Sequence, residues 1–189
     1  IAKNNRAPKV GTKNRFTDPA VFDYDRLAHP PVTFSHEKLK VSARLPAAQR
    51  YIVEHGLNEL IEGEQKSVGI IVQGGIYNIL MRRLQVMGLA DAFGNSKIPV
   101  LVLNVTHPLV PDQITDFCAG KNAVLMVEEG NPEFMEHQVS SLLRKADLST
   151  KLHGKDILPA AGEYTADVLQ QGLVSFFELA MPTGIHKSH

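Results

Sequence analysis

Two adjacent carboxylates, Glu128-Glu129, follow the apolar run Asn122 to Val127, which reads NAVLMV. At the end of a buried strand such a pair repels unless each side chain finds a cation or a helix N-terminus. Two roles are open: proton chemistry, or fastening, with one carboxylate facing the next helix start and the other reaching across a subunit boundary. His107 stands before Pro108 in a segment that also holds Asn104 and Thr106. It could act as a general base if a carboxylate or substrate lay within hydrogen-bond reach, and is otherwise a solvated loop histidine. Gln73-Gly74-Gly75, with Tyr77 close behind, joins an apolar run to a helical pattern. The dinucleotide fingerprint G-x-G-x-x-G and the phosphate-binding G-x-x-x-x-G-K-[ST] are both absent. The glycines therefore read as a close passage of the chain, with a small-anion site as the alternative. His36, His55, His107, His137 and His153 are scattered without ligand spacing, so no metal centre is expected. Cys118 lies on an apolar helical face and reads as inert core rather than nucleophile.

The elements that must position these residues are legible in the apolar periodicity. Pro46 suits a first helical turn. Val53, Leu57, Leu60 and Ile61 then fall on one helical face, with Gly63 as the stop. Ser67 to Gln73, Pro99 to Asn104 and Asn122 to Val127 are short, β-branched runs that read as strands buried on both faces. Between them, helical spacing joins Ile76, Ile79, Leu80, Leu84 and Met87 up to Gly88, and Ile114, Phe117 and Cys118 up to Gly120. Asn131-Pro132-Glu133 offers a cap, a proline and an acid for a helix carrying Met135, Val139, Leu142 and Leu143. A loop with Gly154, Pro159 and Gly162 leads to Thr165, which caps a last helix bearing Leu169, Leu173, Phe176 and Phe177. Strands alternating with helical crossovers demand a parallel sheet. The expected fold class is α/β: a three-layer, doubly wound, mainly parallel sheet over 46–178, preceded by an extended N-terminal arm (1–45) and followed by a tail (179–189). In such a sheet, Gln73, Gly74, Gly75, Tyr77, His107, Glu128 and Glu129 all fall near the carboxyl ends of strands, where ligands or interfaces gather.

Charge narrows the classes of function. In 189 residues, Lys plus Arg total 20 and Asp plus Glu total 20, for a net charge of zero. Chain-wide affinity for nucleic acid or an anionic membrane is not expected. No apolar run approaches the roughly 20 residues of a membrane span. The basic residues Lys3, Arg6, Lys9, Lys13 and Arg15 are concentrated in the arm without an acid between them. This is an arm that packs over a neighbouring domain, or a phosphate-binding segment. The single cysteine excludes an internal disulfide and an iron–sulfur cluster, and fits a reducing, cytoplasmic setting. The opening Ile1 suggests a piece of a longer protein.

Four segments in order carry a resemblance. GIIVQGGIYN (Gly69 to Asn78), VTHPLVPDQI (Val105 to Ile114), VLMVEEGNPEFMEHQV (Val124 to Val139) and GKDILPAAGEYTADVL (Gly154 to Leu169) resemble the transketolase C-terminal-like domain of indolepyruvate:ferredoxin oxidoreductase alpha subunits. LPAAQRYIVEHGLN, from Leu45, is similar to the helix that precedes it there. The resemblance implies an architectural domain of an enzyme that oxidatively decarboxylates aryl 2-oxoacids to acyl-CoA, with ferredoxin as electron acceptor. It implies thiamine diphosphate with magnesium and iron–sulfur clusters in the full-length enzyme, and none of them bound by this piece. The implied partners are the other domains of the same alpha chain, a beta subunit, ferredoxin and CoA, with a homodimer also expected. The isolated piece is expected to be inactive. Two alternatives stay open: the same domain from another thiamine diphosphate-dependent 2-oxoacid oxidoreductase or transketolase-like enzyme, and a freestanding α/β small-anion-binding protein.

Overall fold

A computed structural model describes residues 29–181 of the chain. The chain divides into two compact units at Arg44–Leu45. In the first, Val32–Leu39 forms helix α1 and Lys40–Arg44 a π-helical turn, neither with a buried residue. This departs from the extended arm expected for these positions. Pro30-Pro31 ahead of the helix and the good helix formers Glu37, Lys38 and Leu39 favour it locally. The Arg44 guanidinium donates to the His36 carbonyl at 3.0 Å. The basic segment and residues 182–189 of the tail lie outside the described residues.

The second unit is built on three runs that are apolar at every position facing a helix layer. Val68–Gln73 (β2), Val100–Leu103 (β3) and Ala123–Val127 (β4) pair in parallel, with Ile70 opposite both Val100 and Leu125. Alternation sorts their side chains. Val68, Ile70, Val72, Val100, Val102, Leu125 and Val127 enter one core; Ile71, Leu101, Leu103, Val124 and Met126 enter the other. Helices Tyr77–Val86 (α3) and Ala166–Ala180 (α6) cover the first face; Pro111–Cys118 (α4) and Phe134–Lys145 (α5) cover the second. The result is the expected α/β class with a mostly parallel five-stranded sheet; with Glu59–Ile61 as β1 and Lys151–His153 as β5, the order is β1-β3-β2-β4-β5.

Two strands were not legible. Glu59–Ile61 forms β1, antiparallel to β3, and Lys151–His153 forms β5, parallel to β4. β1 corrects the expectation of one helix running to Gly63. Helix α2 covers only Leu45–Glu54. Gly56 takes φ +57°, Leu57 N–H returns to the Ile52 carbonyl (3.0 Å) and Gly56 N–H to that of Val53 (3.1 Å). That pair of bonds closes a helix end, and the positive φ favours glycine. Val53 is accordingly exposed, and Ile52 fills the core instead. Gly63 has a different use: a Cβ there would land on the backbone of Ile98 and Pro99, just ahead of β3. Because backbone cannot swing aside, Gly63→Ala is expected to lower stability by about 1–3 kcal/mol in urea unfolding. An unchanged midpoint would mean that the segment after β1 shifts freely.

Candidate functional site

The carboxyl ends of β2, β3 and β4 open on a polar crevice. Helices leave β2 toward one face of the sheet and leave β3 and β4 toward the other, which parts the loops at the sheet centre. Two adjoining hollows result. Gln73, Thr106, His107, Glu128, Glu129 and Gly130 line one, together with the start of α5; Gln73, Gly74, Gly75, Asn104, Glu129 and Tyr164 line the other. Six of the seven residues expected at the strand ends thus meet about one crevice. Tyr77 does not line it; its ring packs against the core under α3.

Each acid of the Glu128-Glu129 pair has a partner. Glu128 is buried, and both of its oxygens accept from the Met135 amide (3.0 and 3.1 Å); one also accepts from the Glu136 amide (2.9 Å). It therefore satisfies the free N–H groups at the start of α5, where a negative charge also suits the helix dipole. Asn131-Pro132-Glu133, expected to supply that cap, does not. The helix begins at Phe134, and Glu133 at its border makes no side-chain cap bond. Glu129 turns the other way: its carboxylate accepts from the Tyr164 amide at 2.5 Å, while its own amide donates to Gln73 Oε1 at 3.0 Å. Tyr164 directly precedes Thr165, which accepts from Val168 N–H and caps α6 as expected.

Lys155 completes the arrangement. Its ammonium donates to the Glu128 carbonyl (2.5 Å), the Tyr164 hydroxyl (2.6 Å) and the Pro159 carbonyl (3.4 Å). Its amide donates to the Glu136 carboxylate at 2.9 Å. Burial holds the Lys155 pKa below the usual lysine range, against the pull of Glu128, Glu136, Glu133 and Glu129. Burial, and the same acidic surroundings, push the Tyr164 phenol up to about 12. Lys155, Tyr164 and Glu136 were not singled out from the sequence. The signal for Lys155 was its place just beyond a strand end, but that strand, β5, went unread. Next to it, His153 Nδ1 bonds Asp156 at 2.7 Å.

On the β3 side, Asn104 Nδ2 donates to the Leu57 carbonyl (2.9 Å) and to Glu59 (2.8 Å), closing the crevice against β1. A Cβ on Gly74 would strike the Asn104 side chain, so Gly74 is needed for close approach, as its sequence context suggested. Gly75 has open space around it. His107 is exposed at the crevice rim. Cys118 is fully buried, and burial lifts its thiol to about 12, which removes it as a nucleophile or metal ligand at neutral pH. Among the described residues, no group of three or more His, Cys, Asp or Glu is placed to hold a metal ion. No described helix is long and apolar enough to cross a membrane.

No family model matches the chain. It is 29% identical, over 87% of its length, to the indolepyruvate oxidoreductase subunit IorA of Methanothermobacter thermautotrophicus, of which it covers 26%. It is 31% identical, over 65% of its length, to the IorA of Thermococcus kodakarensis, of which it covers 18%. The resemblance read from the four segments is thereby shown, and the chain spans about a quarter or less of the curated relatives it matches. A solved 2-oxoglutarate:ferredoxin oxidoreductase from Magnetococcus marinus shares 18% identity at a TM-score of 0.45, with 79% of this chain and 24% of that one covered.

Proposed function

We propose that this chain, a relative of the IorA subunit, is the architectural domain of an indolepyruvate:ferredoxin oxidoreductase alpha chain. It orders the domains that carry the chemistry and performs none of that chemistry itself. The observation that supports this most is the use of the crevice acids. Glu128 is spent on the start of α5, Glu129 on the Tyr164 amide, and Gln73 on the Glu129 amide. A general acid or base needs a proton site free to meet substrate, and these groups face the protein's own backbone.

In the whole enzyme, thiamine diphosphate with magnesium would supply the carbanion chemistry and iron–sulfur clusters the electron transfer. The described residues fit neither group. The crevice presents carboxylates where a diphosphate needs cations, and its nearest ammonium, Lys155, is already held by three oxygens. The one cysteine is a buried, protonated thiol. The catalytic groups, the beta subunit, CoA and ferredoxin then belong to other parts of a cytoplasmic enzyme.

Calorimetry tests this reading. The 189-residue chain, titrated with thiamine diphosphate and magnesium, is expected to give no binding heat. Tight magnesium-dependent binding would overturn an architectural role. Assay of the full-length subunit pair against several 2-oxoacids addresses the substrate, where preference for pyruvate over indolepyruvate would replace the aryl assignment.

A further inference from the structure

Among the described residues, Lys121 and Lys155 are held below the ordinary lysine range chiefly by burial, and they differ in what their ammonium groups touch. Lys155 donates to three oxygens. Lys121 Nζ donates to none among the described residues; it lies over the Phe117 ring, 4.7 Å from the centroid. The residue is nonetheless fixed in place. Gly120 turns the chain between α4 and β4 with φ +73°, Lys121 N–H returns to the Cys118 carbonyl (3.1 Å), and Asn122 N–H donates to the Ser67 carbonyl (2.7 Å). The lysine stem then crosses β2 at Gly69, where a Cβ would come within 2.9 Å of Lys121 Cε and 2.8 Å of the Phe117 ring. A glycine in the strand is what lets the stem and the ring lie there.

Lys121 lines a hollow of about 360 Å³ between β1 and α4. Pro99 and Lys121 stand just before β3 and β4, and Glu62 and Lys66 follow β1, so the hollow sits toward the amino ends of the parallel strands, away from the crevice at their carboxyl ends. Leu60, Leu101, Pro99 and Phe117 give it apolar walls. Its charges are few. Lys66 is joined to Glu62 at 2.5 Å, and Asp116 on α4 meets no cation among the described residues. Burial, aided by the Lys66 ammonium, works against the charged form of Lys121, while Cys118 and Glu62 pull the other way. A desolvated amine that no oxygen holds, with a second ammonium nearby, is the nucleophile that carbonyl chemistry requires.

We propose that this hollow is a carbonyl-binding site in which Lys121 Nζ captures an uncharged, apolar aldehyde as a reversible imine. The free amine attacks the carbonyl carbon and gives a carbinolamine. The nitrogen then gives up both of its protons, the former carbonyl oxygen departs with them as water, and a C=N bond replaces C=O. No oxidant or reductant is needed. The Lys66–Glu62 pair lines the same hollow and can lend and take back the proton that the departing hydroxyl requires. Asp116 sets the class of ligand. With Lys121 in its amine form, Asp116 is the uncompensated charge of the hollow, so a carbonyl compound with its own carboxylate is repelled. The apolar walls take the carbon skeleton of the aldehyde. The site lies outside the crevice and does not depend on the enzyme reading.

Reductive trapping tests the proposal. The 189-residue chain is incubated at neutral pH with benzaldehyde and sodium cyanoborohydride, whose hydride fixes an imine as a secondary amine, and each lysine is followed by peptide mass spectrometry. Lys121 is expected to gain the benzyl group about tenfold faster than the exposed Lys145 in the same sample. Lys66→Gln should slow the reaction at Lys121 by about threefold and leave that at Lys145 unchanged. Phenylglyoxylate, which carries the same ring with a carboxylate, should give Lys121 no advantage over Lys145, and Asp116→Asn should restore one. Labelling of Lys121 no faster than Lys145 by benzaldehyde would overturn the site. An equal advantage for phenylglyoxylate in the parent chain would overturn the assignment to uncharged aldehydes.

Discussion

Between pH 9 and 12 the domain is expected to lose on the order of 5 kcal/mol of stability: at about 1.4 kcal/mol for each pH unit by which a pKa is displaced, Cys118 accounts for about 4 and Tyr164, partly screened by solvent, for about 1. Two buried acids set this. Burial raises the Cys118 thiol from 9.0 to about 12, and burial with the nearby Glu136, Glu129 and Glu128 raises the Tyr164 phenol from 10.0 to about 12. Over these windows the unfolded chain has ionised while the folded chain still holds its protons. Stability is therefore whole below pH 9 and falls as pH climbs toward 12. Lys121 and Lys155, both held below 10.5 chiefly by burial, act in the opposite sense, and their effect is complete near the ordinary lysine value. A loss of this size is comparable with the whole stability of a small domain, so alkaline unfolding near pH 11–12 should be observed. Urea titrations at stepped pH check it. Cys118→Ala should remove the part of the slope that begins near pH 9, and Tyr164→Phe the part that begins near pH 10. A midpoint flat to pH 11 would refute the assignment.

Glu128→Ala should cost about 2–3 kcal/mol, more than a surface cap. The carboxylate is buried and its bonds to the Met135 and Glu136 amides are charge-assisted, so its removal leaves both donors without their acceptor. Amide exchange at Met135 and Glu136 should accelerate with the loss of global stability. Glu128→Gln keeps an acceptor oxygen and should recover about half of the loss. If Glu128→Ala unfolds at the parent midpoint, Glu128 is not the fastening of α5.

Legibility followed the strength of the apolar pattern. β2, β3 and β4 were readable because every inward residue on both faces is apolar, and α3 and α6 because their stops and caps, Gly88 and Thr165, obey local rules. β1 and β5 were not, because strands of three residues at a sheet edge bury too little to leave a pattern: Leu60 is exposed and Lys151 faces solvent. The site split along the same line. Placing Gln73, Gly74, Gly75, His107, Glu128 and Glu129 at one edge needed only the strand ends. Finding what the acids hold needed Lys155 and Tyr164, which follow the unread β5. Tyr77 lies off the crevice, partly buried against the core, because the 3-10 turn Gly74–Ile76 intervenes between it and the end of β2.

The fastening of neighbouring carboxylates in opposite directions has a mechanical consequence. Glu128 grips the start of α5 on one side of the sheet, and Glu129 grips the residue before the α6 cap on the other. A push on either helical layer therefore arrives at the same strand end and leaves it toward the opposite layer. The tip of β4 works as a crosspin between two plates, so that domains leaning on opposite sides of this one would feel each other's displacement through two adjacent residues.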